Sequence, residues 1–198
     1  MVTKRATELR IVGGDLALDL ANTLEGRGTP ETLVDYPELA AWAALVGAVG
    51  DPGRLTAIAA EQPPAADRAL ADARRLRTAV DDVFRPLAEH GTPPADALDE
   101  LVAFAAEAAA HARLVPHDGS FELAWEGDDL RRPLWPIAIA AVDLLRVGPL
   151  DRLKTCANCP WLFIDHSRNR SRRWCTMDEC GVHLKMRAYR ARQARRSA

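Results

Sequence analysis

All four cysteines of this chain fall in a single stretch, CANCPWLFIDHSRNRSRRWCTMDEC, at positions 156–180. Within it, Cys156 and Cys159 are separated by two residues, Cys175 and Cys180 by four, and the two pairs by fifteen. Two close pairs at this separation are typical of structural zinc sites, because each short loop can place two sulfur atoms about 2.3 Å from one ion. We predict that these four thiolates bind one Zn²⁺, and that the closed site supports folding rather than catalysis.

The cellular compartment matters to this interpretation, because clustered thiols could form disulfides in an oxidising environment. The opening sequence MVTKRATELRIVGGDLALDL has no uninterrupted apolar segment of the kind found in signal peptides. No later stretch contains the roughly 20 consecutive apolar residues that a membrane span requires. We therefore expect a cytoplasmic protein without a membrane partner. In such a protein, metal binding explains the cysteines better than disulfides or an accidental cluster.

The charges of the chain are divided unevenly along its length, although the formal net charge is only -2. Residues 1–150 carry 14 basic and 24 acidic side chains, whereas residues 151–198 carry 12 basic and 4 acidic ones. A basic segment joined to an acidic one is typical of a module that binds an anion, most often nucleic acid. We therefore predict a domain over residues 1–149 and a basic zinc-binding module over residues 150–198.

Hydrophobic spacing predicts that the larger domain is helical, and a content of 48% hydrophobic residues is sufficient for a core. Apolar residues recur at helical intervals in five segments, which begin near Leu16, Tyr36, Ala65, Pro94 and Pro133. Between the last two segments, alternating residues flank Asp118-Gly119, a pair that favours a tight hairpin turn. The expected fold class is mainly α with small β-hairpins (α+β).

In the zinc-binding module, WLFID and RRWC alternate in the manner of two strands on either side of turn-forming residues. A cysteine knuckle, a hairpin, a second cysteine pair and a terminal helix follow one another, as in a treble-clef-like zinc finger. On that helix Val182, Met186 and Tyr189 share the side that is expected to anchor it. The expected nucleic-acid contacts are the cations of the hairpin and the helix: Arg168, Arg170, Arg172, Arg173, Lys185, Arg187, Arg190, Arg192, Arg195 and Arg196.

These cations permit more than one function. Arginine binds phosphate with a salt-dependent affinity and can also recognise guanine in the major groove, a role we assign to Arg187, Arg190 or Arg192. The alternatives are a solvated charged face, a module that binds RNA or an acidic protein partner, and an enzyme in the larger domain with the finger as its scaffold. DNA-binding proteins often pair to match two half-sites, so a homodimer is a further expectation.

A small-molecule effector is a further possible partner, and three residues of the larger domain are candidates for its pocket. Asp19 and Asn22 lie three residues apart on or near the apolar side of the first helix, and Trp135 lies at the start of the last one. The alternative, which we favour, is that Asp19 and Asn22 satisfy buried backbone groups.

Three blocks of the sequence resemble the CGNR zinc-finger family, bacterial proteins proposed to regulate transcription under stress, with an amino-terminal domain of the ABATE type. The blocks are GGDLALDLANT at 13–23, PLWPIAIAAVDLL at 133–145 and CPWLFIDHSRNRSRRWCTMDECGVHLKMRAYRAR at 159–192. The resemblance places the four family cysteines on the positions that their spacing had already selected. It implies DNA binding as the role of the finger.

The chain departs from the family at the motif that names it. The Cys-Gly-Asn-Arg motif is Cys180-Gly181-Val182-His183 in this chain. If the family Asn and Arg contact DNA, that contact is lost or altered here, whereas little changes if they only brace the hairpin. His183 as a zinc ligand is a less favoured alternative. We expect a zinc-dependent DNA-binding transcription regulator rather than an enzyme, with the finger on DNA and the amino-terminal domain sensing a signal or a partner.

Overall fold

The computed structural model describes residues 4–24, 29–182, 186 and 193. The helices of this part are α1 (Leu16–Ala21), α2 (Tyr36–Leu45), α3 (Pro52–Glu61), α4 (Pro63–Ala88), α5 (Ala95–Ala110) and α6 (Trp135–Val147). The strands are β1 (Arg113–His117), β2 (Ser120–Ala124), β3 (Leu153–Thr155) and β4 (Leu162–Ile164). The expected class, mainly α with small β-hairpins, is confirmed.

Three of the helices begin in the same way, with an aspartate whose side chain caps the first turn. Asp15 accepts a hydrogen bond from the Ala17 amide, Asp35 from the Glu38 amide and Asp51 from the Arg54 amide. Each carboxylate satisfies one of the amides that a helix leaves without a partner at its amino terminus. A proline in the first turn of α2 and α3 adds a fixed helical φ.

The helices pack around α4, which contacts α1, α2, α3 and α5, while α6 packs on α1 and α5. Their inward faces bury large apolar side chains, including Trp42, Phe84, Leu101 and Ile137. Burial of each such side chain contributes about 1.5–3 kcal/mol. We refer to the part of the chain formed by residues 16–147 as the helical body.

Helix α3 is not among the helices that the sequence predicts, because the glycines near position 50 indicate the end of a helix and obscure the start of the next. Only Leu55 and Ala59 of α3 are buried, and the other side chains lie at or near the surface. The helix nevertheless carries a clear start signal, the Asp51 cap followed by Pro52.

The hairpin β1–β2 forms where it was predicted, between α5 and α6. His117 pairs with Ser120, and the turn residues Asp118 and Gly119 both have positive φ, at 44° and 80°. These values match the tight turn that Asp-Gly sequences favour. The hairpin is largely exposed, with Leu114 and Phe121 at 67% and 68% of their full accessibility.

The second hairpin, β3–β4, joins the helical body to the zinc-binding module. Leu153 pairs with Ile164, and Thr155 pairs with Leu162. Leu153, Leu162 and Ile164 are buried in the same apolar core as the helices, and both strands contact α4. The module after residue 149 therefore shares its core with the body.

Within the described part of the chain, none of the helices combines the length and apolar character that crossing a membrane would require.

Candidate zinc centre and arginine loop

The four cysteines converge on one point. Their sulfur atoms all lie within 4.8 Å of one another, and three of them, Cys159, Cys175 and Cys180, form a triangle with sides of 3.5, 3.6 and 3.6 Å. A tetrahedral zinc ion with bonds of about 2.3 Å requires sulfur separations of about 3.8 Å. The thiol set therefore fits Zn²⁺ in both ligand type and spacing. Among the described residues, this is the cluster that can hold a metal ion.

The acidity of the thiols follows from their proximity. Hydrogen bonds from the neighbouring thiols, first of all Cys159, lower the pKa of Cys175. Burial raises the pKa of Cys180, and the hydrogen bond to Cys175 raises the pKa of Cys159 well above its usual range. One thiolate thus forms readily, and a divalent cation is needed to hold four of them together.

Backbone hydrogen bonds hold each cysteine pair in place. The Cys156 amide donates to the Trp161 carbonyl at 2.8 Å and closes the knuckle that carries Cys156 and Cys159 at the tip of the β3–β4 hairpin. Cys180 lies in a short helical turn, Met177–Gly181, where the Gly181 amide donates to the Thr176 carbonyl. A Cβ at Gly181 would lie 2.6 Å from the Met177 sulfur, so a larger residue after Cys180 would displace the exposed Met177 side chain.

The strand pairing differs from the sequence-based prediction. WLFID forms β4 as expected, but β4 pairs with the preceding β3 and not with RRWC. Residues 172–176 of the described chain contain no strand, and the Arg172 amide donates to the buried carboxylate of Asp165 rather than to a strand carbonyl. The first cysteine pair therefore lies inside the hairpin, and the second pair lies beyond it.

Apolar side chains from the amino-terminal segment and from the finger itself surround the four cysteines. Leu9 is buried beside three of the cysteines together with Trp161 and Phe163, and Val12 packs against the same cluster. These two residues precede the helical body in sequence. The amino-terminal segment, residues 4–14, is therefore a structural part of the finger, which the sequence pattern did not indicate.

Polar contacts also connect the finger to the helical body and hold the amino-terminal segment on it. The buried amide of Asn22 donates to the Leu162 carbonyl and accepts from the Leu162 amide, both at 2.8 Å. The Ile164 amide donates to the Gly13 carbonyl, and Arg85 donates to the Pro160 carbonyl. Arg10 forms an exposed ion pair with Asp178 at 2.7 Å.

The three residues suggested for an effector pocket have separate surroundings. Asp19 accepts hydrogen bonds from the Val12 and Gly13 amides, and Asn22 binds the backbone of Leu162. Trp135 stacks on His111 at the end of α5, with ring centroids 4.5 Å apart. Asp19 also lines a shallow cavity of about 450 Å³ beside His166 and Cys175. An effector pocket built from these residues stays a prediction.

Burial raises the pKa of Asp19 to about 6, although the amides of Gly13 and Val12 oppose the shift. Glycine is required at position 13, because an added Cβ would lie 2.9 Å from the Asp19 carboxylate. Asp19 therefore holds the amino-terminal segment against α1 at the point where that segment meets the finger.

We refer to residues 166–173, between β4 and the second cysteine pair, as the arginine loop. It begins directly after Asp165, which is fully buried, and Arg170 within it has a positive φ of 50°. The Ala157 amide donates to the Arg173 carbonyl, so the end of the loop is attached to the first cysteine knuckle. The metal site and the loop are thus parts of one small structure.

The arginines of this loop have different surroundings. Arg168 and Arg173 are exposed, and the Arg173 guanidinium lies 5.8 Å from the Trp174 ring. Arg170 is paired with Asp151 at the surface. Arg172 is directed into the finger, where its guanidinium lies 4.8 Å from the Phe163 ring and donates to the Trp174 and Cys175 carbonyls. Arg172 therefore braces the second cysteine pair.

The remaining predicted contacts lie outside the described residues, as does His183: Lys185, Arg187, Arg190, Arg192, Arg195 and Arg196. Of the residues expected to anchor the terminal helix, the structure describes only Val182 and Met186. Both are exposed, at 46% and 48%, so the expectation that they pack against the finger is wrong.

Two comparisons bear on this site. Residues 14–148 match the profile of the ABATE family, described as "Putative stress-induced transcription regulator", and residues 152–193 match the profile of the CGNR zinc finger. Neither profile is that of an enzyme family. A search among curated proteins finds none that matches the chain. The profile of the zinc finger and the clustered thiols together identify Zn²⁺ as its structural cofactor.

Proposed function

The chain belongs to the ABATE family, whose profile covers residues 14–148, and from this premise we propose that it is a zinc-dependent DNA-binding transcription regulator. The finger binds DNA, and the domain over residues 1–149 senses a signal or a partner. The finger is a treble clef in this proposal, with the basic terminal helix after Gly181. The protein acts in the cytoplasm, in keeping with its reduced, metal-binding thiols.

The observation that carries the proposal is the exposed side of the arginine loop next to the zinc centre. Arg168 and Arg173 extend from a loop whose ends are fixed, and within the described chain Arg168 has no ion-pair partner. Because the loop backbone is held in place, both side chains are already directed towards solvent, and each guanidinium can form two hydrogen bonds with phosphate. Such a surface favours a polyanion over a small uncharged ligand.

Arg170 is a third cation that can bind a DNA phosphate. Its ion pair with Asp151 is exposed on both sides, at 54% and 58%. Exposed pairs of this kind contribute less than about 1 kcal/mol, so a phosphate can compete for the guanidinium. The six cations outside the described residues complete the proposed surface, and among them Arg187, Arg190 and Arg192 are proposed to read bases.

The proposed sensing role depends on the contacts between body and finger. A ligand or partner that shifts α1 would move Asn22, which is bonded to the backbone of β4 beside the first cysteine pair. The same contacts let a homodimer formed through the larger domain set the spacing of two fingers on DNA.

The test is binding of the zinc-loaded full chain to random-sequence duplex DNA, measured by fluorescence anisotropy at increasing salt. Affinity should fall linearly on logarithmic axes, and Arg168→Ala and Arg173→Ala should each reduce the slope by about one. Arg113→Ala, an exposed arginine on β1, is the matched control and should leave the slope unchanged.

Competition identifies the partner. Structured RNA and polyglutamate, added in excess, should displace the duplex less well than unlabelled DNA does. Preferential displacement by RNA or by polyglutamate would instead favour a finger that binds RNA or an acidic protein. A zinc-loaded chain that fails to bind duplex DNA at low salt would contradict the proposed function.

A further inference from the structure

An ion pair between a buried carboxylate and a partly exposed ammonium lies beneath the arginine loop. Asp165 is 0% exposed, and its Oδ2 atom accepts a hydrogen bond of 2.6 Å from the Lys154 ammonium. The carboxylate also accepts from two backbone amides of the loop, Ser167 to Oδ1 and Arg172 to Oδ2, both at 2.9 Å. One side chain thus contacts the first and last turns of the loop.

Lys154, on β3, also binds the backbone of the arginine loop. Its ammonium donates to the Arg170 carbonyl at 2.6 Å and to the Arg172 carbonyl at 3.1 Å, in addition to Asp165. An ammonium group has three donors, and all three are used within the finger. Although Lys154 belongs to the basic module, it has no donor left for a phosphate.

The charges of Asp165 and Lys154 are neutralised only while both side chains are present. A fully buried carboxylate such as that of Asp165 is strongly destabilising when its cationic partner is removed. Arg152 strengthens the arrangement, because its guanidinium donates to the carbonyls of Asp165 and Ser167. The backbone of residues 165–172 is therefore held from beneath by two side chains of β3 and its preceding turn.

We propose that Lys154 and Asp165 are positioning residues of the nucleic-acid surface, which hold the arginine loop in the shape that leaves Arg168 and Arg173 outward and exposed. The proposal rests on the proposed function and deepens it. It makes a counterintuitive prediction, since Asp165 is an acidic residue in a module that binds a polyanion. Electrostatics alone predicts that its neutralisation strengthens DNA binding.

The test is the substitution Asp165→Asn, with Asp151→Asn as the matched control. Both remove one negative charge from the same module, but Asp151 is exposed and its loss frees Arg170. Asp151→Asn should bind duplex DNA more tightly than the wild type. Asp165→Asn should bind roughly tenfold more weakly, as expected for the loss of one or two charge-assisted hydrogen bonds to phosphate.

Lys154 provides the second variant, because its side chain is partly exposed and its replacement disturbs the core less. Lys154→Met and Lys154→Arg should weaken DNA binding to a similar extent, since arginine keeps the charge but cannot donate from one point to three acceptors. If Lys154 bound phosphate directly, Lys154→Arg would restore binding. That restoration would overturn the assignment of Lys154.

Amide hydrogen exchange and zinc content distinguish loss of position from loss of fold. In both Asp165→Asn and Lys154→Met we expect one zinc per chain, with faster exchange at the Ser167 and Arg172 amides. A wild type that binds DNA while Asp165→Asn binds equally or more tightly would overturn the positioning role alone. A wild type that does not bind nucleic acid would overturn the proposed function and this inference with it.

Discussion

The helical body and the zinc finger are stabilised in different ways. The body buries a continuous set of large apolar side chains contributed by its helices, and many are fully inaccessible. Among the described residues, the finger buries a separate cluster in which three of the six buried residues are cysteines. Such a cluster is too small to order a chain without a metal. The difference implies that the body folds by burial of apolar surface, whereas the finger folds by metal binding.

The structure also shows that the two regions are not independent. Leu153, Leu162 and Ile164 of the β3–β4 hairpin belong to the core of the body, while Leu9, from the amino-terminal segment, lies in the cluster of the finger. Because side chains of the finger lie in the core of the body, loss of zinc should lower the stability of the body as well. The following predictions test this coupling.

The largest effect is expected for a substitution in the metal site itself. Cys180→Ser removes one thiolate from a closed site, and the lost binding energy can reach the order of 10 kcal/mol. We expect loss of zinc and of DNA binding, with the helical circular dichroism largely retained at 20 °C but a lower unfolding temperature. An unchanged unfolding temperature in the zinc-free variant would show that the body and the finger are uncoupled.

A smaller effect is expected at the contact between α1 and β4. Asn22→Ala leaves the buried amide and carbonyl of Leu162 without partners, at a cost of about 3 kcal/mol. Urea unfolding of the zinc-loaded chain measures this cost. Asn169→Ala, at an exposed position of the arginine loop, is the control and should leave the free energy of unfolding nearly unchanged. Equal changes in the free energy of unfolding at the two positions would show that Asn22 does not couple α1 to the finger.

Leu9→Ala tests the apolar contribution of the amino-terminal segment to the finger. Leu9 is 8% exposed, and truncation of a buried leucine costs roughly 2–3 kcal/mol. If metal binding and packing are coupled, zinc affinity should fall by about tenfold to a hundredfold, which a competitive chelator titration measures. Leu45→Ala, at an exposed position of α2, should leave zinc affinity unchanged.

The smallest effect concerns pH. Because the pKa of Asp19 is raised to about 6, the folded chain binds a proton more tightly than the unfolded chain does. The contribution of Asp19 to stability therefore grows as pH falls towards the unfolded value near 4 and is lost as pH rises through about 6. Asp19→Asn keeps an oxygen acceptor for the Val12 and Gly13 amides, since both bonds end on Oδ1.

Relative to Asp19→Asn, the wild type should gain about 1 kcal/mol of stability between pH 8 and pH 5. Urea unfolding of both proteins across this range measures the difference. Asp143→Asn, on the exposed side of α6, should show no such pH-dependent difference. If the difference in free energy of unfolding between the wild type and Asp19→Asn does not change with pH, burial does not raise the pKa of Asp19 as proposed.

The sequence predicted the parts of the fold that depend on local signals. Cysteine spacing, helical periodicity and the Asp118-Gly119 turn each reflect chemistry within a few neighbouring residues, and each led to the correct element. Helix α3 was missed, although Asp51 and Pro52 mark its start, because the glycines near position 50 indicate the end of a helix and obscure this start.

The parts that could not be predicted depend on contacts between distant residues. Asn22 bonds to Leu162 across 140 positions, and Leu9 packs beside cysteines that follow it by far more than a hundred residues. Strand β4 pairs with β3, while the Arg172 amide donates to the buried carboxylate of Asp165, which lies seven positions earlier in the chain. Nothing in the local pattern specifies these partners.

The central claim is that one zinc ion, held by four thiolates, fixes the loop that presents the arginines. The most direct test is to titrate the metal-free, reduced full chain with Co²⁺ while following both its visible absorption and its binding to duplex DNA. The account predicts a tetrahedral four-thiolate spectrum that saturates at one ion per chain, with salt-dependent DNA binding that rises in parallel. DNA binding that is complete before metal is added, or a metal-saturated chain that does not bind DNA, would contradict it.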